Sequence, residues 1–146
     1  MKNYLSEMVD KIKDGSFADK FESDMKEDEH NSWGTVIEML EYNYTCKNVG
    51  ENTYEVIIPT STGNSNTFWI SHTNGVIEII TGIILVEDIE VKTLLYLLSK
   101  DLIWGGFNIF NDTLNLKYTI CSYEIINLNV GRILGYLSNI KEELFK

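Results

Sequence analysis

The feature that most constrains the fold of this chain is the order in which the spacing of its apolar residues changes. From about residue 53 onward the spacing switches between two, which is typical of strands, and about 3.6, which is typical of helices. This order predicts three strands, a helix, two strands and a closing helix. Asn74-Gly75 and Asn111-Asp112 each lie between two predicted strands and indicate tight hairpin turns.

The third predicted strand, residues 76–86, is apolar on both of its faces, with Glu78 as its one charged residue. Such a strand is typical of the centre of a sheet, and Gly82 within it indicates a bulge or a close packing contact. Strand alternation predicts which side chains face the helices. These are Tyr54, Val56, Phe68, Ile70, Ile77, Ile79, Phe107, Ile109, Leu114 and Leu116.

Three helices complete the predicted core. Ser32 is placed to cap the first, and Asn48, Gly50 and Asn52 indicate a turn after it. Glu87-Asp88 is placed to cap the second, whose broad apolar stripe from Ile89 to Leu98 predicts that it is well buried. The third is predicted to begin at Ser122.

The length of 146 residues fits one domain, which is large enough to bury a hydrophobic core. We therefore predict a single α+β domain over residues 1–146. Its core, residues 33–146, is a five-stranded, mainly antiparallel sheet packed on helices in the order α-β-β-β-α-β-β-α. Residues 1–32 are predicted to form an acidic helical extension.

The net charge of −10 restricts the classes of partner. Affinity for nucleic acids and anionic membranes depends on lysines and arginines, and Arg132 is the only arginine in the chain. The charge allows a basic protein surface or a cation as a partner, or serves only to keep the protein soluble, and we expect no nucleic-acid or membrane binding. The first residues resemble no signal peptide, and no apolar stretch is long enough to span a bilayer as a helix, so we expect a cytoplasmic protein.

The residues that usually carry chemistry give no catalytic, cofactor or metal motif. Cys46 and Cys121 lack metal-type spacing, and His30 lies in an acidic run that we interpret as an exposed connector. His72 is the only serious candidate for a general base, although a histidine at a strand end usually faces solvent. We therefore predict a protein that is not an enzyme.

The strongest functional hypothesis concerns the sheet face turned away from the helices. Alternation places several large apolar residues there, and such a patch is typical of a partner surface. The candidate protein-binding residues are Ile57, Trp69, Ile80, Ile84 and Phe110. Three kinds of cover remain open: the helices of residues 1–32, a second copy of the chain, or a different protein.

A resemblance to a known family points the same way. From about Gly34 the order of elements, the helical segment from Val86 to Lys100 and the hairpin from Gly106 to Tyr118 resemble the type III secretion chaperone-like fold. Within that fold they resemble the YbjN family of bacterial sensory-transduction regulators. The resemblance covers about three quarters of the chain and implies a chaperone-like, protein-binding role, commonly as a dimer, without catalytic residues.

These observations favour a cytoplasmic protein-binding, chaperone-like or regulatory module that uses the outer sheet face for dimerisation or partner capture. Two alternatives belong to other classes. One is a small-molecule-binding or catalytic domain with a pocket near His72 and the loop of residues 60–66. The other is an acidic bacterial immunity protein or antitoxin.

Overall fold

In a computed structural model of the protein, residues 33–121 and 130–145 are described. Residues 33–43 form helix α1. The elements that follow are β1 (Thr45–Gly50), β2 (Thr53–Pro59), β3 (Ser65–Thr73), β4 (Val76–Leu85), a short 3-10 helix (Val86–Asp88), α2 (Val91–Leu98), β5 (Gly106–Phe110), β6 (Thr113–Cys121) and α3 (Val130–Leu144). The predictions for residues 1–32 and for a helix start at Ser122 lie outside the described residues.

The strands form one sheet in the order β1-β2-β3-β4-β6-β5, and every neighbouring pair is antiparallel. The predicted α+β class is confirmed, but the prediction of five strands is wrong, because β1 adds a sixth. Its residues are mostly polar and exposed, and only Cys46 is partly buried. β1 lies at the sheet edge and is held by backbone pairing to β2, which does not require apolar side chains. It therefore lacks the apolar alternation by which a strand is recognised in a sequence.

The two predicted hairpin turns are confirmed. Asn74 and Gly75 have φ values of 51° and 77°, and Asn111 and Asp112 have values of 51° and 58°. Positive φ at both central residues is the geometry of the type I′ turn, whose twist matches that of the flanking strands. The turns therefore fix the registers of the β3–β4 and β5–β6 pairs.

The hydrophobic core lies between one face of the sheet, called here the inner face, and the three helices. The largest fully buried apolar side chains come from α1, β2, β3, β4, β6 and α3. They are Leu40, Val56, Phe68, Ile70, Ile77, Ile79, Leu114, Leu116, Ile133, Leu134 and Leu137. Since each fully buried aliphatic or aromatic side chain stabilises a fold by about 1.5–3 kcal/mol, this cluster is the main source of stability.

β4 occupies the predicted central position, between β3 and β6, and of the two roles that the sequence allows for Gly82, a bulge or a close packing contact, the structure has the bulge. Gly82 pairs with Asn115 and Ile84 pairs with Leu114, so Ile83 is the extra residue. The bulge shifts the alternation by one residue, and Ile84 lies on the inner face beside the fully buried Leu114. The prediction that Ile84 lies on the outer face is therefore wrong.

The second helix begins later than its sequence predicts. Residues 86–88 form a 3-10 turn, and α2 begins at Val91 with Glu90 in the N-cap position, without a side-chain capping hydrogen bond. Across the described residues, no helix combines the length and the apolar character that crossing a membrane requires.

Candidate functional site

On the outer face of the sheet, Ile57, Trp69 and Ile80 lie on three consecutive strands. Trp69 pairs directly with Ile80, while Ile57 pairs with Thr67, two residues before Trp69. Ile57 and Ile80 are partly buried, and Trp69 is 39% exposed. Strand pairing thus brings these three predicted residues together into one apolar cluster.

Charged side chains border this cluster on both sides. Glu55 pairs with Trp69 across β2 and β3 and forms an ion pair of 3.9 Å with Lys47. Lys117 pairs with Ile80 and lies 3.3 Å from the carboxylate of Glu78. Ion pairs that are partly exposed to solvent, as these are, contribute little to stability. The apolar part of the outer face is consequently narrower than the sequence predicts.

The other two predicted residues do not join the cluster. Ile84 lies on the inner face because of the bulge. Phe110 is 63% exposed at the end of β5, and β6 lies between β5 and the strand that carries Ile80. The predicted set of five therefore consists of three neighbouring residues, one residue at the far edge and one on the opposite face.

A more exposed apolar surface, which sequence reasoning missed, lies on α2. Leu94 and Leu97 are buried against the core, whereas Val91, Leu95 and Leu98 are 70%, 61% and 37% exposed. The spacing of the exposed residues, i, i+4 and i+7, places them on one side of the helix. We call these three residues the α2 surface.

The signal for the α2 surface was present in the sequence as the breadth of the apolar stripe. The broad stripe predicts a well-buried helix, and this prediction is wrong, because Val91 and Leu95 are mostly exposed. α2 lies against β5, a strand at the edge of the sheet, so the core reaches only one side of the helix. The helix therefore carries a second apolar side that the core does not cover.

A largely apolar groove of about 400 Å³ lies beside the C-terminal end of α2. Leu97, Leu102 and Phe107 line one side of this α2–α3 groove, and Ile140 and Leu144 of α3 line the other. The hydroxyl of Tyr136 accepts a hydrogen bond of 3.0 Å from the backbone N–H of Ile103, which holds the loop after α2 against α3. The groove therefore has fixed walls.

His72 is partly buried, in contrast to the solvent-facing histidine that is usual at a strand end. Its ring is stacked on the indole of the buried Trp33, with 5.3 Å between ring centroids and an angle of 22° between the planes. The loop of residues 60–66 joins β3 at the strand end opposite to His72. His72 and this loop therefore lie at opposite ends of β3.

The loop of residues 60–66 instead borders a cleft of about 780 Å³ with the C-terminal part of α3. Lys141 lies in this cleft and donates a hydrogen bond of 3.0 Å to the hydroxyl of the fully buried Thr81. Partial burial lowers the pKa of Lys141 from its ordinary value, because the charged ammonium is less well solvated there. The polar cleft and the apolar α2–α3 groove are separate sites.

Two other kinds of chemistry to consider are metal binding and nucleophilic attack by a cysteine. In residues 33–121 and 130–145, no cluster of three or more His, Cys, Asp or Glu side chains is arranged to hold a metal ion. Burial raises the pKa of the Cys46 thiol, and the carboxylate of Glu41 raises it further. A raised pKa decreases the thiolate fraction, so this thiol is a weaker nucleophile than an ordinary cysteine.

The comparisons with known proteins give no match to a family model, to a curated protein or to a solved structure.

Proposed function

We propose that the chain is a non-enzymatic, cytoplasmic protein-binding module of the chaperone-like or regulatory kind, and that it binds a second copy of itself through the α2 surface. The observation that carries this proposal is the exposure of Val91, Leu95 and Leu98 on a helix whose other side is fully engaged in the core. Exposed apolar stripes of this kind are uncommon on monomeric proteins.

Energetics favour this surface over the outer sheet face. Burial of one aliphatic side chain stabilises an interface by about 1.5–3 kcal/mol, and the α2 surface presents three of them without bordering ion pairs in the described part of the chain. Association costs at least about 4 kcal/mol in lost translational and rotational freedom. The α2 surfaces of the two copies together offset that cost.

The choice of a second copy as the partner follows from the shape of the stripe. Three residues at helical spacing on a two-turn helix can pack against the same three residues of a copy related by a twofold axis. A twofold axis requires only that one patch is complementary to itself. The α2–α3 groove lies next to this contact and can receive side chains of the second copy.

The resemblance to the type III secretion chaperone-like fold supports the proposal at the level of topology. With β1 set aside, the described elements follow the order α-β-β-β-α-β-β-α that the resemblance implies. β1 is then an added edge strand next to β2, on the far side of the sheet from α2 and β5. Membership of the YbjN family remains a proposal on the same ground.

The experiment is a measurement of molar mass by sedimentation equilibrium over a range of protein concentrations. We expect a dimer for the unmodified chain and a monomer for Leu95→Asp, because a carboxylate in the centre of the contact would lose its hydration. Thr93→Asp is the matched control, since it adds the same charge at an exposed position of the same helix. Thermal unfolding checks that both variants are folded.

A double variant, Trp69→Ser with Phe110→Ser, tests the outer face in the same assay. We expect this variant to remain a dimer. If it becomes a monomer while Leu95→Asp does not, the contact lies on the outer face. If the unmodified chain is a monomer throughout, self-association is not the function of either surface.

A further inference from the structure

The polar cleft beside α3 has a fixed frame. The side-chain carboxylate of Glu142 accepts hydrogen bonds from the backbone N–H and the hydroxyl of Ser61, at 2.8 and 3.2 Å. At the other end of the loop, the buried amide of Asn66 donates to the hydroxyl of Ser138 at 2.9 Å. Both ends of the loop are thus bound to α3, so the cleft is formed before any ligand arrives.

The loop is also braced internally. The backbone N–H and the hydroxyl of Thr60 both donate to the carbonyl of Asn64, at 2.8 and 3.1 Å. Gly63 adopts a φ of 89°, which lets the chain turn back toward β3. A loop that is held in this way loses little conformational entropy when it binds a ligand.

Lys141 is a cation without an ionic partner in the described part of the chain. Its ammonium makes one hydrogen bond, to the hydroxyl of Thr81, which in turn donates to the carbonyl of Thr67 at 2.7 Å. An ammonium has three protons to donate, so two remain for a ligand in the cleft. A partly buried ammonium that has no ionic partner favours an anionic group of a ligand.

Glu142 supplies the opposite charge in the same cleft. One of its carboxylate oxygens binds Ser61, and no ion pair joins Glu142 to Lys141, although both line the cleft. The second oxygen is able to accept hydrogen bonds from a ligand. Glu142 lies in the last turn of α3, where the helix dipole also favours a positive charge.

Two opposite charges that share a cleft without neutralising each other match a ligand that carries both charges. We propose that the cleft binds a small zwitterion of the α-amino acid type, with its carboxylate on Lys141 and its ammonium on Glu142. A neutral zwitterion also avoids the repulsion that a net charge of −10 imposes on anions. The volume accommodates an amino acid together with its side chain, and the exposed ring of Phe145 provides an apolar wall.

The test is titration of the full chain with individual free L-amino acids at neutral pH, followed by amide chemical shifts and by calorimetry. We expect saturable binding of at least one amino acid, with shifts at Ser61, Lys141 and Glu142. Lys141→Gln and Glu142→Gln should each weaken binding by about tenfold or more, because each removes a charge-assisted hydrogen bond. Both substitutions keep a hydrogen-bonding side chain, which protects the fold.

Matched controls distinguish charge at the site from charge on the molecule. Lys92→Gln and Glu87→Gln change exposed charges outside the cleft and should leave the affinity unchanged. The N-acetylated and the C-amidated forms of the same amino acid each lack one charge and should also bind about tenfold more weakly or worse.

Two results would overturn the proposal. One is the absence of saturable binding for every amino acid up to about 10 mM, a concentration well above the Kd of a weak ligand. The other is equal binding of the N-acetylated form, which would show that the site selects a carboxylate alone. Since neither result depends on α2, this test is independent of the proposed dimer.

Discussion

At the scale of single residues, Gly105 and Gly106 show that neighbouring glycines have different roles. Gly105 has a φ of 84°, and a Cβ at this position would lie 2.5 Å from the backbone carbonyl oxygen of Lys117. We expect Gly105→Ala to lower the free energy of unfolding by at least about 2 kcal/mol, through backbone strain and the clash with β6. Urea denaturation measures this change.

Gly106→Ala is the matched control, because a Cβ there meets nothing within 4 Å and the backbone is that of a strand. Its effect should stay below about 1 kcal/mol, since an alanine costs less conformational entropy than a glycine in a strand. Equal destabilisation by the two substitutions would contradict the close approach of Gly105 to Lys117.

The residues of the polar cleft show why this site could not be predicted from the sequence. Ser138 and Lys141 lie near the end of an ordinary amphipathic helix and carry no motif that identifies their partners. Lys141 donates a hydrogen bond to Thr81, and Ser138 accepts one from Asn66. Both partners are distant along the chain. Such contacts depend on how α3 lies across the sheet, which local periodicity does not determine.

At the scale of elements, the two hairpins use the same turn with different residues, Asn74-Gly75 in one and Asn111-Asp112 in the other. Asp112 adopts a φ of 58°, a conformation that is less favourable for aspartate than for glycine. We expect Asp112→Gly to stabilise the protein by about 0.5–1 kcal/mol, as measured by urea denaturation. The backbone carbonyl of Asp112, which accepts from the N–H of Val86 at 2.9 Å, is unaffected.

The reciprocal substitution tests the same effect of positive φ in the other turn. Gly75→Asp should destabilise the β3–β4 hairpin by a similar amount, because Gly75 has a φ of 77°. A loss of stability in Asp112→Gly would show that the entropy of glycine in the unfolded chain outweighs the strain in the turn.

Elements were predictable from the sequence where local pattern determines them. The order of strands and helices along the chain from β2 onward, the central position of β4 and both hairpins follow from alternation and turn residues, and all are confirmed. The face of Ile84 was not predictable, because Gly82 is compatible with a bulge or with a close packing contact, and only the bulge shifts the alternation. The exposure of α2 depends on its position over an edge strand. The sequence of the helix does not indicate this position.

At the scale of the whole molecule, net charge and the α2 surface have opposite effects on self-association. Two chains that each carry −10 repel one another, whereas burial of the α2 surface would favour the proposed dimer. The repulsion acts across the whole surface and is screened by salt, with a screening length that decreases from about 10 Å at 0.1 M to about 3 Å at 1 M. The apolar contribution does not depend on this screening.

Raising the salt concentration should therefore strengthen the proposed dimer. We expect its Kd, measured by sedimentation equilibrium, to fall severalfold between about 0.05 and 0.5 M sodium chloride. Leu95→Asp is the control, because it removes the apolar contact. Screening by salt then decreases the repulsion between two chains without supplying an attraction. A Kd that rises with salt would mean that ion pairs hold the two copies together, and the interface would then have to be sought among the charged residues around Trp69 instead of on α2.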